Sequence, residues 1–245
     1  MQFIRCNLET CRQAVVQNSD AVVVVIDVLR AFTTAGYLFE SGAREIVLVA
    51  NPEDALTLRT RDPGYLLLGE NKGRKLADFD LGNSPSIIKT KGIPHESRVV
   101  LLTTCGTRGA VFAAEAAAEA GFETSIFCAA LTNGAATARA IQKGGWQTVI
   151  LLETGVFPDG IGDEDRAFSD YLIQLLTPDA APLDLESLRK RVKHCSTAHL
   201  FDGRIPDLPA ADLDCAANID HFDFAMPVLH TAEGLILRSL KVTLP

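Results

Sequence analysis

The 245-residue chain lacks any apolar run approaching the ~20 residues that cross a bilayer, and its opening, MQFIRCNLETCRQ, holds no hydrophobic segment of signal-peptide length. A cytoplasmic protein with no membrane partner is the expectation. Positive charge is also scarce: 23 Lys and Arg stand against 31 Asp and Glu, a formal net charge of -8. Phosphate-backbone affinity needs a basic face, so nucleic acid is not an expected partner, and an anion could be held only by a local basic patch. The six cysteines (Cys6, Cys11, Cys105, Cys128, Cys195, Cys215) form no CxxC pair and suit neither a zinc knuckle nor a disulfide framework. HExxH, GxGxxG and GxxxxGK[ST] are all missing, and the histidines have no zinc-ligand spacing. No low-complexity tract or linker divides the chain, which reads as a single unit over 1–245; two α/β lobes with a boundary near 130–160 are the alternative.

Short apolar runs separated by helical patterns are what the sequence does contain. AVVVVI, EIVLVA, YLLLGE, RVVLLTT, TSIFCAAL and TVILLET are strand-like, and such alternation implies βαβ units around a mainly parallel sheet, an α/β fold. NPEDALTLR places Asn51 as an N-cap with Pro52 behind it and acids in the first turn. TRGAVFAAEAAAEAGF is an alanine-rich helix stopping at Gly121, and a third helix is expected from about Gly134 to Gln142. DEDRAFSDYLIQLL and LDLESLRKRVKHC complete the predicted helices, whereas the Asp-, Ala- and Pro-rich stretch from Gly203 to Pro227 reads as irregular structure.

In open parallel sheets, ligands bind beyond the carboxyl ends of the strands. That edge carries Asp27 and Arg30, Glu70 and Asn71, Thr103 and Thr104, Thr132 and Asn133, and Glu153 and Thr154. Helix capping is the bland alternative for each of them, and an internal ion pair for Asp27 with Arg30. GENKGRKLADFDLGNSP sets Lys72, Arg74 and Lys75 between Glu70 and Asp80; such a loop is either a solvated turn or a holder of a cation and an anion together. Its DLGNSP end looks like a helix start able to receive an anion. In GIGDEDRAFSDY, Asp163, Glu164 and Asp165 either complement a helix dipole or supply metal ligands or an acid/base. An aspartyl-phosphate mechanism needs a second acid where Leu29 stands, and CGTRG is too short for a cysteine-phosphatase loop.

Together, VVVVIDVLRAFTT, Gly69–Glu70, DLGNSP, TTCGT and GDED resemble the 2-phosphosulfolactate phosphatase (ComB-like) family over about residues 20 to 230. The resemblance implies a three-layer α/β/α fold and Mg²⁺-dependent hydrolysis of a small anionic phosphate ester, releasing sulfolactate for coenzyme M synthesis. Matching positions are Asp27, Arg30, Glu70, Gly82, Asn83, Ser84, Pro85, Thr104, Gly106, Glu164 and Asp165. Cys105 departs from the family's TTNGT pattern, where Asn is expected. The combined reading gives Mg²⁺ to Asp27, Glu70 and one of Asp80 or Asp165, the attacking water to Glu164, and the phosphate to Arg30. Asn83, Ser84, Thr104 and Gly106 are expected around the remaining oxygens, with Lys72 and Arg74 for a second anionic group such as a sulfonate. A phosphatase for another small phospho-acid or sugar phosphate, and a non-catalytic anion-binding protein, are the alternatives; homo-oligomer formation stays open.

Overall fold

A computed structural model of the chain describes residues 1–155 and 162–242. Gly160 and Ile161 of the GIGDEDRAFSDY motif lie outside the described residues. In chain order the elements are β1 (Gln2–Cys6), α1 (Cys11–Val16), β2 (Val22–Ile26), α2 (Ala31–Glu40), β3 (Glu45–Val49), α3 (Pro52–Arg61), β4 (Tyr65–Asn71), β5 (Arg74–Lys75), α4 (Pro85–Lys91), β6 (Arg98–Leu102) and α5 (Gly106–Glu119). They continue with β7 (Ser125–Ala129), α6 (Gly134–Gly144), β8 (Thr148–Glu153), α7 (Asp163–Leu176), α8 (Leu185–Lys193), α9 (Ala211–Ala216), β9 (Phe224–Thr231), β10 (Gly234–Leu237) and β11 (Leu240–Lys241).

The fold is three-layer α/β/α around one mixed, mainly parallel sheet of order β1-β8-β2-β7-β9-β10-β3-β6-β4-β5, with β11 beside β9. Every residue of β2 and β3 is buried, which is why VVVVI and EIVLV show no polar alternation. Small residues let α5 lie close over the sheet: Ala110, Ala113 and Ala117 are fully buried, and a Cβ on Gly109 would come within 2.6 Å of Thr154. The cap signals act as expected. Asn51 accepts the Asp54 amide at 2.9 Å, Gly121 follows α5 with φ +86°, and α6 runs two residues past Gln142 before Gly145 at φ +76° ends it. No described helix is long and apolar enough to cross a membrane.

The centre of the sheet departs from the expectation. β9 and β10 form an antiparallel hairpin inserted between β7 and β3, and both outer pairings of that hairpin are antiparallel too. The β1-β8-β2-β7 group therefore runs opposite in the ladder to the β3-β6-β4 group, and their carboxyl ends do not share one straight edge. The helix that follows β6 bridges them: α5 packs on both β3 and β2. The loop after β6 reaches the tip of β2, where Gly106 lies against Asp27.

Candidate active site

Where the two groups of strands meet, residues after β2, β4, β6 and β8 enclose a cavity of about 190 Å³. Asp27 follows β2 and caps α2, accepting the Ala31 amide at 3.0 Å. Gly106, at the start of α5, lies against the same carboxylate. A Cβ at position 106 would stand 2.6 Å from Asp27 Oδ2 and 2.6 Å from Ala31 Cβ. Gly106 thus lets α5 begin against Asp27, and the substrate contact expected of it becomes a packing role.

Asp165, in the first turn of α7, accepts the amides of Val28 at 2.9 Å and Gly155 at 2.8 Å, tying the loops after β2 and β8 together. Its neighbour Glu164 is buried with Oε2 unpartnered among the described residues. From the other strand group Glu70 accepts the Thr104 amide at 2.7 Å and the Thr104 hydroxyl at 3.0 Å, and that hydroxyl oxygen accepts the Lys72 amide. Both Thr104 donors are spent on Glu70. Thr104 also lines the cavity, so its two donors hold this carboxylate at the wall.

Asp27, Glu70, Glu164 and Asp165 all line the cavity. Burial pushes the Asp27 carboxyl up to about 7, against the Ala31 amide, with the charges of Glu70 and Glu164 adding to the rise. Burial also raises Asp165, helped by Asp27 and Glu164, and raises Glu164. Each deprotonation makes the next harder, because like charges share one buried site. Hard oxygen donors, including the orphaned Glu164 Oε2 and a buried, unpartnered Asn83 Oδ1, suit a small divalent ion. Among the described residues, no three acidic, histidine or cysteine side chains converge tightly enough to enclose such an ion by themselves.

Arg30 does not pair with Asp27. Its Nη1 donates to Asp212 Oδ2 at 2.7 Å and to the Asp207 carbonyl at 2.6 Å, Nη2 donates to the Gly73 carbonyl at 3.3 Å, and the guanidinium lies 5.5 Å from the Phe201 ring centre. Ser84 caps α4 but donates its hydroxyl to Asp212 Oδ1 at 2.7 Å, and the Ser86 amide donates to the same oxygen. The carboxylate at the α4 start is the protein's own Asp212, which takes the Ser84 hydroxyl. Asn83, one residue earlier, does line the cavity.

Lys72 reaches the cavity from the two-residue turn between β4 and β5, held at φ +50° beside Gly73 at φ +80°. Arg74 is exposed on β5 and does not line the cavity. Asp80 is also elsewhere: it accepts the Leu67 amide at 2.7 Å and pairs with Arg59, so the metal role expected of it is not supported by its position. Asn133 Oδ1 accepts the Ala130 amide in the turn before α6, and Thr154 donates its hydroxyl to the Ile26 carbonyl at the end of β2. Cys105 sits on the cavity wall, where burial and then the charges of Asp27, Asp165 and Glu70 push its thiol up to about 12. That shift disfavours the thiolate form a nucleophile would need.

A family model described as 2-phosphosulpholactate phosphatase matches residues 9–226. The chain belongs to that family. Relatives within the 2-phosphosulpholactate phosphatase family include a probable 2-phosphosulfolactate phosphatase of Bacillus subtilis (strain 168), 31% identical over 86% of this chain and 88% of the relative. A protein of the same name from Deinococcus radiodurans is 45% identical over 63% of this chain and 62% of its own length. Another, from Carboxydothermus hydrogenoformans, is 30% identical over 91% and 92%. The motif resemblance therefore reflects membership in this 2-phosphosulpholactate phosphatase family. Sequence reading missed Asp212 and the wall of Thr197, Leu200, Phe201 and Leu208, all from the segment that follows α8. Neither strand tips nor a motif mark these positions.

Proposed function

We propose that the cavity hydrolyses a small phosphate monoester with the help of Mg²⁺, and that the ester is 2-phosphosulfolactate, the substrate in the names of the relatives. The observation that carries this reading is the set of buried carboxylates facing a cavity that Arg30 and Lys72 also line. Asp27 and Asp165 are the best-placed protein ligands, with Glu70 beside them, because Mg²⁺ is usually held by one or two carboxylates, several waters and substrate phosphate. Mg²⁺ supplies charge neutralisation at the phosphoryl oxygens and an acidified water.

The chain's own groups do the rest. The Arg30 edge left free by Asp212 and Asp207 grips two phosphoryl oxygens, as a guanidinium fork does. Glu164, raised by burial, takes a proton from the attacking water. Lys72 at the cavity mouth meets the second anionic group, and Leu200, Phe201 and Leu208 exclude water from the other side. A volume near 190 Å³ limits the organic part to a few atoms. The protein then acts on a soluble metabolite in the cytoplasm, within a route to coenzyme M.

The test is phosphate release by the purified protein, with Mg²⁺ or with chelator, from 2-phosphosulfolactate, from its sulfonate-free analogue 2-phospholactate, and from sugar phosphates. Release that needs Mg²⁺, prefers the sulfonate and falls by at least roughly 100-fold in Asp27→Asn is expected, matching the several kcal/mol a bound Lewis acid supplies. Equal turnover of all esters would assign another phospho-acid, and phosphate binding without turnover would leave an anion-binding protein.

A further inference from the structure

We propose that Asp212, which no motif marks, is the positioning residue that turns Arg30 toward the phosphoryl group; the proposal rests on the phosphatase reading above. Asp212 is fully buried and does not line the cavity, so it acts on a substrate only through another residue. Its partner is clear. Arg30 and Asp212 side chains are 3% and 0% exposed, and Nη1 meets Oδ2 at 2.7 Å.

A guanidinium carries five N–H donors in a rigid plane, and which of them remain free decides which way it can grip. Both Nη1 hydrogens are taken, one by Asp212 Oδ2 and one by the Asp207 carbonyl. Gly73 takes a single, longer bond from Nη2 at 3.3 Å. Nε–H has no acceptor among the described residues, and it shares an edge of the fork with Nη2, which makes only that one long bond. That edge has the spacing of two phosphate oxygens.

The carboxylate is itself immobilised from behind. Oδ1 accepts Ser84 Oγ at 2.7 Å, Ser86 Oγ at 2.6 Å and the Ser86 amide at 3.0 Å. Asp212 therefore locks the arginine to the backbone that also presents Asn83. A mere counter-charge would neutralise Arg30 without needing this three-donor hold on its other oxygen.

The experiment measures kcat/KM with 2-phosphosulfolactate and Kd for inorganic phosphate in wild type, Asp212→Asn, Arg30→Gln and the double variant. Thermal unfolding is followed throughout. Asp212→Asn should lose about 10- to 100-fold in both quantities, the worth of a hydrogen bond to a charged group, and should add nothing in the Arg30→Gln background. Millimolar guanidinium should rescue Arg30→Ala but not Arg30→Ala/Asp212→Asn, a readout that general destabilisation does not imitate. In ¹⁵N spectra the Arg30 Nη1 hydrogens, held by Asp212 and Asp207, should be resolved in wild type and averaged by rotation and exchange in Asp212→Asn.

Additive losses, wild-type kcat/KM in Asp212→Asn, or equal rescue in both backgrounds would overturn the proposal. If Asp212→Asn does not fold, Ser86→Ala removes one of the three donors to Asp212 Oδ1, the Ser86 hydroxyl, while keeping the ion pair. It should cost a few-fold with Arg30 present and nothing with Arg30→Gln, and a loss independent of Arg30 would overturn the proposal. Wild type that hydrolyses no ester but shows an Arg30 signal dependent on Asp212 would sink the phosphatase reading alone.

Discussion

A single methyl group at position 106 would meet the Asp27 carboxylate and the Ala31 side chain at once, each 2.6 Å away. Gly106→Ala is expected to lower stability by about 1–3 kcal/mol, as overpacking does, and to reduce phosphate release more than stability alone explains. Thermal unfolding and single-turnover phosphate release on the same preparation separate the two. Asp27 also sets a pH dependence. Its carboxyl rises from an ordinary 3.8 to about 7, so the folded state holds a proton that the unfolded chain has given up. That contribution to stability is complete below pH 3.8 and is lost as pH climbs through about 7. Denaturation of the protein in chelator should show stability falling over this window, and Asp27→Asn should flatten the fall. That Asp27, Arg30 and Glu70 line one cavity was legible because polar residues beyond the carboxyl ends of strands gather where loops and helix starts meet. Ser84 and Thr104 have partners that no local pattern names: their donors go to the protein's own acids, Asp212 and Glu70.

Single elements were read well where local chemistry decides them and poorly where pairing does. Caps at Asn51, Gly121 and Gly145 gave the helix limits to within a few residues, because each satisfies backbone groups that the helix itself leaves open. β1 was hidden by its half-exposed edge position, and β9 by Pro227, since proline usually marks an edge strand or none. Long-range charge fixes the other end of β6. Arg98 bonds Glu45 at 2.7 Å, Asp62 at 2.6 Å and Glu233 at 2.9 Å, and its guanidinium stacks 4.1 Å from the Tyr65 ring centre. Glu233 lies in the turn between β9 and β10, so this cluster clasps the inserted hairpin to β3, β4 and β6. Arg98→Met would leave Glu45, 4% exposed, with less than its full set of partners. Partial exposure of Arg98 keeps the expected cost at or below the roughly 3 kcal/mol seen on breaking a buried pair. The midpoint should drop by several degrees at about 2–4 °C per kcal/mol for a chain of this size, read by calorimetry.

For the molecule as a whole, the βαβ rhythm predicted the class of fold and the helices that flank the sheet, but not its central seam. The parallel groups follow from local alternation; the antiparallel hairpin between them depends on a chain segment some 95 residues after β7, and no periodicity reports such a partner. A chain ending before Phe224 should therefore lose the cooperative unfolding transition and bind a hydrophobic dye. Circular dichroism melts and dye fluorescence would show it, whereas an intact sharp melt would mean the two groups can close without β9 and β10.

The position of that hairpin also imposes a timetable. As the chain leaves the ribosome, β2, β7, β3 and β6 are all made long before residues 224–237 emerge to join them. Until then both β7 and β3 present open, apolar edges of the kind that recruit foreign strands. The catalytic pocket, assembled from both sides of the seam, is accordingly among the last features to form during synthesis, and the nascent enzyme is most vulnerable to aggregation just before it is complete.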